Sequence, residues 1–115
     1  MSEIPVNRRM TPRFRVKFRG SFTGEVEHTV EGEGTVIDLS VGGCRVETET
    51  MVPAGSYLEL RVHVSGLDEP MRIDAALVIW LRDRVFGAKF IRIPPEEQKR
   101  LSQVVQDLES DAPEE

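Results

Sequence analysis

Phe14, Val16 and Phe18 alternate with Arg15 and Lys17, the period-two signature of a strand with one buried face. Arg13 and Arg19 flank this run on its polar side. The alternation returns in YLELRVHV, residues 57–64, with Leu58, Leu60, Val62 and Val64 inward and Glu59, Arg61 and His63 outward. Shorter runs predict strands at about residues 34–39 and 43–48. Residues 71–81, MRIDAALVIWL, are apolar on both faces near their end, so that part is expected to be covered on both sides. Trp80 accordingly reads as a core or helix-packing residue rather than a partner contact. After a tight RDR connection, VFGAKFIRI at residues 85–93 returns as a strand. Gly87 inside it marks a bulge or a close backbone approach.

Gly20, Gly24, Gly32 and Gly34 punctuate a polar, acidic stretch and predict strand ends and a loop there. MVPAGS and SGLDEP read as turns. The period then changes. Leu101, Val104, Val105 and Leu108 fall at i, i+3, i+4 and i+7, one face of a helix. Pro95 suits its first turn, and Glu96 and Glu97 suit the positive end of its dipole. The pattern gives six strands and one terminal helix. An open sheet of six short alternating strands would expose its edges, so the expected fold is all-β with one helix: a closed six-stranded antiparallel barrel whose mouth or edge the C-terminal helix covers.

A chain of 115 residues forms one domain. No apolar run reaches the length of a membrane-spanning helix, and the polar start MSEIPVNRRM has no signal-peptide core. Membrane insertion is not expected, and the cytoplasm is the expected location. The net charge of −5 argues against bulk nucleic-acid binding. The charge is unevenly placed, however. Residues 1–20 hold six basic side chains and one acid, against nine basic and nineteen acidic in the remainder. Either this basic arm is solvated or it builds an anion site.

Catalysis finds no support. His28 and His63 stand apart from Ser40, no G-x-S-x-G elbow is present, and Asp68 and Glu69 lie in a turn. One cysteine and two distant histidines do not make a structural zinc site. Neither a P-loop nor a dinucleotide fingerprint occurs. Cys44 is the only thiol and reads as a small buried residue rather than a reactive one. No enzyme activity, metal or cofactor is expected.

Two segments remain. In NRRMTPRFRV, Arg9 and Arg13 are four apart, with Arg8 adjacent, and Pro12 keeps Thr11 extended. Guanidinium groups chelate phosphates and the guanine O6/N7 edge. In VIDLSVGGCRV, residues 36–46, Asp38, Ser40, Gly42 and Gly43 form a corner between two strands. They could be ordinary turn residues bonding their own backbone. Alternatively Asp38 accepts from a guanine edge, Ser40 makes a polar contact, and the glycines take positive φ or admit a close approach.

Together, R-x-x-x-R as Arg9–Arg13 and D-x-S-x-x-G as Asp38–Gly43 resemble the PilZ domain family. VIWLRDRVFGAKFIRI is similar to the family's late hairpin before its terminal helix. The resemblance covers about residues 8–108: an arm at 8–13, a barrel at 14–93 and a helix at 95–108, between a flexible start at 1–7 and an acidic tail at 109–115. It implies a six-stranded barrel that binds cyclic di-GMP, a bacterial second messenger. Carried over, Arg9 and Arg13 grip the ligand, Asp38 takes the base edge, Ser40 adds a polar contact and Gly43 allows backbone approach. Arg8 is a secondary candidate that could stack on a guanine.

The like charges of the arm predict that it is mobile alone and orders over the corner when an anion neutralises it. An isolated barrel must then signal through an unidentified effector protein. Two other readings remain open. A barrel binding single-stranded nucleic acid needs aromatic platforms, and only seven aromatics are present. A ligand-free protein-interaction barrel is the second.

Overall fold

A computed structural model describes residues 12–25 and 29–111. Six strands, β1 (Phe14–Glu25), β2 (Thr29–Leu39), β3 (Gly43–Thr48), β4 (Tyr57–His63), β5 (Met71–Arg82) and β6 (Val85–Arg92), precede one helix, α1 (Pro95–Asp111). All pairings are antiparallel, and the order β1-β2-β3-β6-β5-β4 closes on itself. Closure leaves no row of unpaired backbone groups along an edge strand. The inward positions supply a single core that includes Phe22, Val36, Leu39, Leu58, Leu60, Val62, Ile73, Val78 and Phe86. Phe22 and Phe86 meet edge to face at 5.5 Å between ring centroids, a favoured aromatic geometry.

The helix buries Leu101, Val104 and Val105 against this core, with Leu108 partly covered beside them. Arg100 ties it to the barrel. Its Nη2 donates to the Glu69 carbonyl at 2.6 Å, and its Nη1 donates to the Pro70 carbonyl at 3.3 Å. Glu97 accepts from the Arg72 amide at 3.2 Å and from Arg100. The helix continues to Asp111, past the end predicted at residue 108, because Glu109 and Ser110 extend its solvent side with nothing to break it.

Three expectations are corrected. Residues 20–25 and 29–34 are not strand ends and loop: β1 and β2 form one long antiparallel ladder paired from Phe14↔Leu39 to Glu25↔Thr29. The glycines there mark close packing between neighbouring strands. A Cβ on Gly24 would stand 2.6 Å from the Tyr57 carbonyl oxygen of β4. Second, the end of β5 is not covered on both sides, since Ile79 and Trp80 are exposed. The pairing steps from Val78↔Ala88 to Trp80↔Gly87, so Ile79 is an extra residue. This bulge inverts the in–out alternation and turns Trp80 outward. Third, Trp80 therefore packs in neither the core nor the helix. Its indole lies across Gly87, where a Cβ would come within 2.7 Å of Cζ2. The close approach expected at Gly87 is this one.

The remaining turns follow their chemistry. Asp83, in the two-residue link between β5 and β6, has φ 58°, and Gly55 and Gly66 have φ 95° and 91°. Left-handed backbone of this kind suits glycine and, next, Asp or Asn.

Candidate functional site

The corner between β2 and β3 begins with Ser40. Its amide donates to the Gly43 carbonyl at 2.9 Å. Its hydroxyl oxygen accepts from the amides of Gly42 and Gly43 at 3.1 and 3.2 Å. Ser40 is buried, and these contacts make it a staple of the turn. Gly42 and Gly43 do not take positive φ, which among the described glycines occurs at Gly55 and Gly66. Gly43 does admit a close approach, but from the neighbouring strand: a Cβ there would collide with the Ala88 carbonyl oxygen of β6.

Asp38 behaves differently. Its residue is only 4% exposed, yet it makes no turn of its own. Arg13 Nη1 donates to Oδ1 at 3.1 Å. Arg45 Nε and Nη2 donate to Oδ2 at 3.2 and 2.7 Å. Both guanidinium groups keep a wet side, with side-chain exposures of 53% for Arg13 and 41% for Arg45. The backbone explains the gathering. The β1–β2 ladder gains one residue between Arg15 and Phe18, and the β2–β3 ladder gains one between Val36 and Asp38. Bulges re-aim side chains, and here Asp38 turns to the outer side, between Arg15 on β1 and Arg45 on β3.

The row continues around the barrel. Arg45 is the cross-strand neighbour of Gly87, and Gly87 that of Trp80. Arg15, Asp38, Arg45, Gly87 and Trp80 thus follow one another across β1, β2, β3, β6 and β5. Beside the row lies an open depression of about 490 Å³, lined by Arg15, Lys17, Thr35, Ile37, Arg45 and Glu47. Cations dominate it. A second depression of about 320 Å³ carries Glu31 and Glu33 against Arg61 and is less suited to an anion.

The structure therefore brings Arg13, Asp38, Ser40 and Gly43 together. Arg8 and Arg9 lie outside the described residues. Three residues of the row, Arg15, Arg45 and Trp80, were not among the site residues expected from the sequence; Arg15 was read there only as an outward residue of the first strand. Arg45 was legible in principle: a corner at residues 40–43 pairs Leu39 with Cys44 and therefore Asp38 with Arg45. Trp80 was not, because the bulge that turns it outward leaves no trace in the periodicity.

Cys44 sits behind this site and is buried. Burial, and then the Asp38 charge, push its thiol up from 9.0 to about 12, with Arg13 opposing weakly. The nucleophile is the thiolate. Ellman's reagent at pH 8 should leave Cys44 unmodified in the native chain and label it fully in denaturant; rapid labelling of the native chain would contradict this placement. Among the described residues, no three His, Cys, Asp or Glu side chains gather as metal ligands would. No described helix is long and apolar enough to cross a membrane.

A family model described as the PilZ domain matches residues 7–107. Solved structures share the fold at low identity. The PilZ domain of CeSA from a cellulose-synthesizing bacterium is 16% identical with a TM-score of 0.67, the match covering 86% of this chain and 99% of that one. YcgR from Escherichia coli in complex with c-di-GMP is 18% identical with a TM-score of 0.70, over 90% of this chain and 47% of YcgR. The PilZ domain of YcgR with c-di-GMP is 18% identical at 0.68, over 90% and 93%. The chain spans about half the length of full YcgR. A search of curated proteins found no match.

Proposed function

Because this chain belongs to the PilZ domain family, we propose that it is a cyclic di-GMP receptor and that the ligand binds on the outer row centred on Asp38. The observation that carries the reading is the Arg13–Asp38 ion pair at 3.1 Å. It joins the end of the R-x-x-x-R arm to the D-x-S-x-x-G corner, 25 residues away. YcgR, an E. coli relative of the same fold, has been solved with c-di-GMP bound.

The ligand presents two phosphodiester anions and two guanines. Arg13, with Arg9 and secondarily Arg8 from the arm at residues 8–13, supplies forked donors for the phosphates and the O6/N7 edges. Arg15 and Lys17 add positive potential on the same face. Before ligand arrives Asp38 holds Arg13 and Arg45 beside the row, so its contribution extends beyond the base-edge contact expected from sequence. Ser40 and Gly43 fix the corner. Trp80, 37% exposed, offers a rigid face on which a purine stacks. The chain acts by binding, without catalysis or cofactor. In the cytoplasm it passes the signal to an effector protein as the arm orders over the ligand and changes the surface the effector meets.

Isothermal titration of the full chain with cyclic di-GMP tests this. Binding should be saturable at ligand concentrations on the order of tens of micromolar or below, and should weaken as salt rises because phosphate contacts contribute. A flat titration at both low and high salt would sink the receptor reading and favour a ligand-free interaction module.

A further inference from the structure

We infer that Arg45 is a positioning residue that lets Asp38 release Arg13 to the ligand; the inference rests on the receptor reading above. Asp38 carries one buried carboxylate and two cations, and the two are held differently. Arg45 projects from within the β2–β3 ladder, one pair before its end, directly opposite Asp38. It places two nitrogens on Oδ2, the nearer at 2.7 Å. Arg13 stands just before β1 and places one nitrogen on Oδ1 at 3.1 Å, with more than half of its side chain exposed. Arg45 is thus the fixed partner and Arg13 the exchangeable one.

An incoming phosphate competes with Asp38 for Arg13. Removing one partner of a buried ion pair is strongly unfavourable when it strands the other charge. With Arg45 in place, Asp38 keeps a hydrogen-bonded cation after Arg13 leaves, so the transfer strands nothing. Without Arg45, ligand binding must also leave a buried carboxylate unpaired. Arg45 therefore tightens binding through Asp38, whether or not it touches the ligand.

A double-mutant cycle on the full chain reads this directly. Arg45→Gln should weaken cyclic di-GMP binding by about tenfold or more, on the scale of charged hydrogen bonds. In the Asp38→Asn background, where no charge can be stranded, adding Arg45→Gln should change affinity by less than about twofold within the usual limits of additivity. Equal weakening in both backgrounds would mean that Arg45 contacts the ligand directly, and would overturn the inference. So would wild-type affinity in Arg45→Gln. Should the Asp38→Asn chain bind too weakly to titrate, the arginine Nε–Hε resonances of the wild-type chain decide. Saturating ligand should shift Arg13 and leave Arg45 in its protected, Asp38-bonded position; the reverse pattern overturns the inference. A wild-type chain that binds no cyclic di-GMP removes the receptor reading and this inference together, whereas wild-type binding with an unaltered Arg45→Gln removes this one alone.

Discussion

Asp38→Ala should weaken cyclic di-GMP binding by about a hundredfold, equivalent to about 2.7 kcal/mol, while costing the fold little. The two effects separate for a physical reason. Asp38 is the buried member of its ion pairs, and the arginines are the wet ones. Deleting the buried charge strands nothing, because both guanidinium groups can turn to solvent. The stability lost is that of surface-like pairs and a small void, about 1 kcal/mol. Binding loses more. Once the ligand draws Arg13 away, Asp38 Oδ1 is left to accept from a guanine edge while Oδ2 stays on Arg45 at 2.7 Å, and the alanine variant loses that charge-assisted contact with the base. Titration together with a thermal melt checks both halves. An Asp38→Ala chain that binds as tightly as wild type would reduce Asp38 to a surface-pairing residue. One that fails to fold would show its role to be structural.

The second large effect is expected at Gly43, and its neighbour supplies the control. A Cβ on Gly43 would run into the Ala88 carbonyl oxygen, where β3 and β6 are paired through Gly43↔Lys89 and Cys44↔Ala88. Backbone cannot swing aside as the tip of a side chain can. Gly43→Val should therefore cost about 3 kcal/mol and lower the melting temperature by more than about 10 °C. A Cβ on Gly42 meets nothing within 4 Å, and Gly42 does not hold a positive φ. Gly42→Ala should stay within about 0.5 kcal/mol of wild type. Two adjacent glycines with opposite tolerance is a sharp outcome; similar melting temperatures for the two variants would contradict the close packing of β3 on β6.

Ser40 shows what one turn motif can and cannot reveal. Its sequence context fits both a turn and a ligand site, and the hydroxyl proves to be engaged with the amides of Gly42 and Gly43. Asp38, two residues earlier and of the same turn-forming class, is engaged instead with Arg13 and Arg45. The difference is one of register, since bulges on either side of Ile37 aim Asp38 at its neighbours on β1 and β3. Local chemistry alone does not carry that information.

Alternation of apolar and polar residues was enough for the six strands, and the i, i+3, i+4, i+7 spacing was enough for the helix. Both are periodicities of the chain itself. The two motifs and the basic arm were equally legible, because each is a matter of residue type and spacing. Tertiary structure decided the rest. It made strands of the glycine-rich residues 20–25 and 29–34, because closing a barrel needs small residues where neighbouring strands press together. It turned Trp80 outward, because one inserted residue reverses the side on which every later side chain falls. It placed Arg45 on Asp38, because partners across a ladder are set by where the corner begins. The first two depend on which strand lies beside which, a relation between distant segments that no local pattern encodes, whereas the Arg45 pairing needs only the position of the corner at residues 40–43.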